Sequence, residues 1–254
     1  MWEESGYSLD TNSKCITVPS GLVSDQCWNS FVDVLPKCLS MEQLCAHTLH
    51  APSQRIKQLA VALPLCQMLV RLTFVYAGLS TKSMCEIANV LPLCVSLDRL
   101  DLSGNPGIGN DGVNALAAIL PRCKSLQRLL LRQISQAHAL VMLVPSFSGR
   151  ELYLSDNDIS DTEVFLLLPM LQIHTSLRTL DLGKNTFGDT ALNAIADLLQ
   201  DCRLDHLGLP SGDWKKLMDV FPFKLCIIFR SIFKFCSCFI FKFRFFQIST
   251  TIYI

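Results

Sequence analysis

The sequence predicts an α/β solenoid, with short parallel strands lining one side and helices backing them on the other. Two observations carry that prediction. A tetrapeptide, Leu-Pro-x-Cys, recurs with a period of 28 or 29 residues, as Leu35-Pro36-Lys37-Cys38, Leu63-Pro64-Leu65-Cys66, Leu91-Pro92-Leu93-Cys94 and Leu120-Pro121-Arg122-Cys123. A fifth copy, Leu168-Pro169-Met170-Leu171, lacks the cysteine, and Cys202 holds the place without a proline. Between these marks runs a second pattern, L-x-x-L-x-L-x-x-N, with starts at residues 13, 41, 69, 97, 126, 149, 177 and 204. A fixed period of roughly 20–50 residues marks a repeat architecture, in which each unit buries its apolar face only against its neighbours.

Each element of a unit follows from side-chain spacing. The middle of L-x-x-L-x-L alternates in and out, which is a strand with one buried face. Its best copies are Leu97, Leu100, Leu102 with Asn105, and Leu177, Leu180, Leu182 with Asn185; Leu152, Leu154 and Asn157 give a third. The asparagine sits where the chain leaves the strand, and its amide can bond backbone groups left unpaired there. Apolar residues at helical spacing come next, as in Val113, Leu116, Ile119 and Leu120, or Leu192, Ile195 and Leu199. Asp111 and Asp189 are expected as helix-start residues, and the proline of Leu-Pro-x-Cys as the helix end. The step from 126 to 149 is short, so the repeat beginning at Leu126 should carry a shortened helix.

These residues resemble the ribonuclease-inhibitor-like class of leucine-rich repeat proteins. The stretches "SLDRLDLSGNPGIGNDGVNALAAILPRC" and "SLRTLDLGKNTFGDTALNAIADLLQDC" carry the likeness, which extends over residues 13–220. The resemblance implies a horseshoe with strands on the concave side, helices on the convex side, and a protein-binding role. It implies nothing about which protein is bound, since one fold hosts many tasks.

Composition narrows the function classes. The 254 residues carry 22 basic and 22 acidic side chains, so no overall charge favours nucleic acid. The acidic start, Met1-Trp2-Glu3-Glu4-Ser5, does not read as a signal peptide, and no N-glycosylation acceptor occurs, which together suggest a cytoplasmic chain with reduced thiols. Twelve cysteines are present, but Cys38, Cys66, Cys94 and Cys123 recur at one repeat position and are expected as buried, small apolar fillers. Cys236-Ser237-Cys238 lacks a second ligand pair, so no metal or other cofactor is expected.

Three segments result: an extension over 1–12, the repeats over 13–220, and a tail over 221–254. The tail holds ten phenylalanines, seven isoleucines, five basic residues and no acidic ones. Arg230, Lys234, Lys242 and Arg244 interrupt it too often for a good membrane span. A peripheral, weakly membrane-associated anchor, a spanning segment and the product of a truncated or misread gene stay open as readings of it.

The outward strand positions mark the candidate site. Counting two residues from each repeat start gives Gln43, Arg71, Arg99, Arg128, Glu151, Thr179 and His206; counting four gives Cys45, Thr73, Asp101, Leu130, Tyr153, Asp181 and Gly208. Arg71, Arg99 and Arg128 therefore stack as a column of guanidinium groups, which suit carboxylates, with Asp101 beside them as an internal neutraliser. The candidate partner-binding set is Arg71, Arg99, Asp101, Arg128, Tyr153 and Asp181, facing a protein partner. No catalytic set emerges: Gly104 to Gly109 lacks the Gly-Lys-Ser/Thr of a phosphate loop, and the five histidines fall in different repeats apart from His47 and His50. An alternative reading is a regulator that resembles the GTPase-activating members of the repeat class. It asks for an arginine on an extended strand-to-helix loop, and none is expected. A ubiquitin-ligase substrate receptor would need an adaptor-binding domain for which residues 1–40 leave no room.

Overall fold

In each repeat a strand of three residues is followed by a turn, a helix and a second turn. The computed structural model of the chain describes residues 11–18, 24–199 and 203–210. Over these the order is β1 (Cys15–Thr17), α1 (Asp25–Val34), β2 (Gln43–Cys45), α2 (Ser53–Ala62), β3 (Arg71–Thr73), α3 (Thr81–Val90), β4 (Arg99–Asp101), α4 (Gly109–Ile119), β5 (Arg128–Leu130), α5 (Ala137–Leu143), β6 (Glu151–Tyr153), α6 (Asp161–Ile173), β7 (Thr179–Asp181), α7 (Asp189–Leu199) and β8 (His206–Gly208). The expected tail over 221–254 lies outside the described residues.

All eight strands join one sheet in sequence order, each parallel to the next. Their middle residues, Ile16, Leu44, Leu72, Leu100, Leu129, Leu152, Leu180 and Leu207, stack in register and are buried under the helices. Strands pack about 4.8 Å apart whereas packed helices need about 8–10 Å. That mismatch favours a curve with the sheet on its inner side. The architecture is the α/β leucine-rich repeat solenoid that the apolar spacing predicts.

Asparagine closes the strand-to-helix turn in three repeats. The buried Asn157 amide donates to the carbonyls of Leu131 (2.6 Å) and Leu154 (3.0 Å), while its oxygen accepts from Ile134 N–H (2.6 Å) and Ser135 N–H (3.0 Å). Asn105 serves Phe74, Leu102 and Leu79 in the same way, and Asn185 serves Leu154, Leu182 and Ile159. Each amide thus ties one repeat to the repeat before it. The residue before the asparagine is left-handed, as Gly104 (φ 74°), Asp156 (φ 62°) and Lys184 (φ 54°). Glycine is needed at 104 for a second reason: the Tyr76 ring lies against it, in the place a Cβ would take.

Cysteine does more than fill space at the opposite turn. Leu-Pro-x-Cys forms a tight 3-10 turn after the last α-helical turn, in which the cysteine N–H bonds the leucine carbonyl at 3.0–3.1 Å. The carbonyl four residues before the cysteine then loses its helical partner. The thiol donates to it instead: Cys38 to Val34 (3.6 Å), Cys66 to Ala62 (3.5 Å), Cys94 to Val90 (3.6 Å) and Cys123 to Ile119 (3.5 Å).

The proline marks the helix end as expected, standing second in the 3-10 turn that follows the last α-helical residue. Two expectations need correction. Pro169 lies inside α6, so the structural equivalent of Leu-Pro-x-Cys is Leu171-Gln172-Ile173-His174, where His174 N–H bonds the Leu171 carbonyl at 3.3 Å. One repeat earlier, Val144-Pro145-Ser146-Phe147 holds the turn, with buried Phe147 in the cysteine place. Asp111 does not cap α4, because a 3-10 turn over Pro106–Ile108 runs straight into the helix; Asp111 and Asp189 stand in the first turns of their helices. Serine does the capping where side chains cap: Ser24, Ser80 and Ser160, the last in a capping box with Glu163. The repeat beginning at Leu126 has the expected short helix, seven residues in α5 against ten to thirteen in the others.

Replacing Asn157 with Ala should destabilise the chain by about 2–4 kcal/mol, since buried backbone groups of two repeats lose their partner. Urea melts followed by circular dichroism would measure it, and a loss under about 0.5 kcal/mol, the range of an ordinary surface change, would refute the tie. Burial pushes the thiols of Cys66 and Cys123 up to about 11 and that of Cys94 to about 12, against 9.0 for an exposed thiol. The unfolded chain therefore releases these protons first, so stability is full below pH 9 and falls as pH rises toward 12. Melts across that window should show the fall, and Cys94→Ala should make it shallower.

Candidate functional site

The sheet face turned away from the helices carries two columns of side chains in strict register. Arg71, Arg99 and Arg128 are direct partners on β3, β4 and β5, continued by Glu151, Thr179 and His206. The neighbouring column runs Thr73, Asp101, Leu130, Tyr153, Asp181 and Gly208. Three like charges about 4.8 Å apart repel unless carboxylates stand between them.

Carboxylates reach two of the three. Arg99 Nη2 lies 3.5 Å from Asp101 Oδ2 on its own strand, and Asp101 is itself buried and accepts the Ser103 N–H at 3.1 Å. Arg128 Nε stands 3.3 Å from Glu151 Oε1 on the next strand and 3.9 Å from Asp98 Oδ2. Arg71 is exposed and has no carboxylate within 4 Å among the described residues. The column is therefore neutralised toward β5 and open at β3.

A fourth arginine completes the cluster, and the sequence reading does not find it. Arg132 follows β5, and its guanidinium lies 4.8 Å above the Tyr153 ring with Nη2 3.2 Å from Asp181 Oδ2. The Tyr153 hydroxyl donates to Glu151 Oε2 at 3.1 Å, and Asp181 accepts the Gly183 N–H at 3.0 Å. Arg99, Asp101, Arg128, Tyr153 and Asp181 of the predicted set thus sit around one network closed by Glu151 and Arg132, and Arg71 stands at its edge. The signal for Arg132 was alternation: it lies two and four residues beyond Leu130 and Arg128, so it continues their face. Arg132 belongs to the strand-to-helix loop between β5 and α5. It lies back across the sheet against Tyr153 and Asp181 rather than standing out on an extended loop.

Polar contacts continue along the turns. The Tyr76 hydroxyl donates to Gln133 Oε1 across the Gly104 repeat, and Gln133 Nε2 donates to Asp156 Oδ2 at 2.6 Å. Among the described residues no group of three or more His, Cys, Asp or Glu side chains converges on a point where a metal could sit, and no helix is long and apolar enough to cross a membrane.

Comparison with a family model agrees with the fold. Residues 94–117 and 174–196 match the leucine-rich repeat family, and both stretches hold an asparagine-closed turn. No curated protein matches the chain. A solved structure of the actin-binding site 2 of leiomodin-1 is similar over 55% of this chain and 83% of its own, with 16% identity and a TM-score of 0.47.

Burial first, and then the Glu151 carboxylate, push the Tyr153 phenol above its ordinary range, while Arg132 and Arg99 pull the other way. Glu151→Gln should therefore lower the alkaline titration of Tyr153 and Arg132→Ala should raise it. Ultraviolet titration with Tyr153→Phe as the reference reads both shifts, and movement of the two variants in one direction would refute the network.

Proposed function

We infer that the protein is a non-catalytic protein-interaction module whose inner sheet face holds a carboxylate-bearing surface of a protein partner. The observation that carries the reading is the open end of the arginine column: Arg71 exposed with no carboxylate within 4 Å among the described residues, beside Arg99 and Arg128, whose ion pairs are long at 3.5 and 3.3 Å. A guanidinium fork bonds a carboxylate through two parallel N–H groups, so a partner's Asp or Glu can take the place that the chain's own acids fill only in part. Tyr153, held flat by Arg132, adds an aromatic surface beside the charges, a composition enriched in interface cores. Asp101 and Asp181 position Arg99 and Arg132 rather than meet the partner first.

The repeat length of 27–29 residues in most units, each with a helix in its outer half, supports the ribonuclease-inhibitor-like class. A cytoplasmic setting for such a module rests on the thiol-rich repeats, whose turn cysteines work as reduced donors to carbonyls.

Replacing Arg71, Arg99 and Arg128 together with Glu should lower affinity for the principal partner at least about tenfold, because the surface potential reverses. The fold should survive, as these side chains point away from the core. Affinity-capture from native lysate with wild type and the triple variant, at two salt concentrations, tests the reading. Specific captured proteins should be lost in the variant and weakened by salt in the wild type; identical partner sets with an unchanged circular dichroism spectrum would overturn it.

A further inference from the structure

A second surface stands apart from the sheet face. The four turns that precede β2, β3, β4 and β5 lie side by side along one rim of the solenoid, because their strands are neighbours in that order. In the first three turns this rim exposes large aliphatic side chains: Leu39 at 79%, Leu65 at 59%, Met68 at 54%, Leu93 at 56% and Val95 at 75%. Such exposure is unusual for five large apolar residues in one row, and contiguous apolar surface of this kind marks an interaction site. The turn segments 35–40, 63–68, 91–96 and 120–125 also carry Lys37, Arg122 and Lys124 and no Asp or Glu. The flanking acids Glu42 and Asp98 are engaged by Lys14 (2.7 Å) and Arg128 (3.9 Å), and the exposed Asp33 belongs to the last turns of α1.

We propose that this rim docks on an anionic lipid bilayer surface. Three features select the lipid over other occupants. The apolar side chains project from turns with more than half their surface in solvent, so no wall of the protein encloses them; a helix or peptide needs a groove, whereas a bilayer interface accepts single protruding side chains. The backbone of the turns is already bonded internally, with each cysteine N–H on its leucine carbonyl, so the rim offers no strand edge to a peptide. The charges at both ends of the apolar row are positive, which suits acidic headgroups. They also disfavour a second copy, because a two-fold contact would set Lys37 of one chain against Arg122 and Lys124 of the other.

The test is vesicle sedimentation with the full chain, using phosphatidylcholine vesicles with and without phosphatidylserine. Wild type should bind the vesicles that contain phosphatidylserine and bind them less as salt rises. The triple variant Leu65→Ser, Leu93→Ser, Val95→Ser should lose at least about tenfold in partition, since each removes apolar contact with the acyl boundary. The double variant Arg122→Glu, Lys124→Glu should lose roughly thirtyfold or more on anionic vesicles and flatten the salt dependence. All five side chains changed in these two variants are exposed, so circular dichroism should be unchanged. Residues 211–254 are common to every variant, so equal binding by wild type and both variants would place any lipid contact elsewhere and overturn the proposal. Absence of wild-type binding would overturn it too. So would a wild-type dimer that the rim variants convert to monomer, which would assign the rim to a second copy.

Discussion

A repeat in this chain can satisfy itself only against the repeat on either side, and that nearest-neighbour condition governs every other feature. One strand of three residues cannot close its own hydrogen bonds, and one short amphipathic helix cannot bury its own face. The stacked middle residues from Ile16 to Leu207 solve the burial half of the problem in a single continuous column. The turns solve the polar half. Asn157 bonds Leu131 and Ile134 of the preceding repeat, and Asn185 bonds Leu154 and Ile159 of its own predecessor. Loss of one such amide is therefore felt across two units, as expected for a one-dimensional stack whose stability is largely interfacial.

Register, rather than the local motif, decides which residues occupy equivalent places, and this explains where sequence reading succeeds and fails. Strand positions, sheet order and the short α5 were all legible, since each follows from the distance between repeat starts. The Leu-Pro-x-Cys copies were legible wherever motif and register coincide. At Leu168-Pro169 they part by three residues. Proline survives inside α6 because it and Phe165, whose carbonyl it leaves without a helical donor, both lie on the exposed side. The true turn is set by the buried Leu171, six residues before the next repeat start, and His174 takes over there by bonding Phe147 O at 2.6 Å and Leu177 N–H at 3.1 Å. Cysteine was legible as a buried residue but not as a donor, because the orphaned carbonyl it serves exists only once the 3-10 turn has formed.

The same division holds for the sheet face. The alignment of Arg71, Arg99 and Arg128 needs only the period, and it is readable from the sequence. Asp101 beside Arg99 is readable too, since both lie on β4, whereas Glu151 for Arg128, and Asp181 for Arg132 from 49 positions away, come from other repeats. Arg132 itself was hidden because counting stopped with the strand, while alternation of the chain continues past it. A tyrosine beneath that guanidinium cannot be foreseen from spacing, since the contact lies between successive repeats and depends on how far a long side chain leans.

The distribution of satisfied and unsatisfied charge divides the molecule into halves. From β5 onward Arg128 and Arg132 each have a carboxylate and the Tyr153 phenol bridges to Glu151, so the charges there are paired within the chain, though Arg132 Nε is buried without a hydrogen-bond partner among the described residues. Toward β3 the column opens at Arg71, and on the rim beside the same repeats Leu39, Leu65, Met68, Leu93 and Val95 stand in solvent. The open end of the column and the apolar rim therefore both belong to the repeats around β2–β4. The two face different directions, one from the strands and one from the turns that precede them, so occupation of one leaves the other open. A chain attached by its rim would still present the arginine column to a protein, with the paired charges of the repeats from β5 onward continuing the sheet beside it.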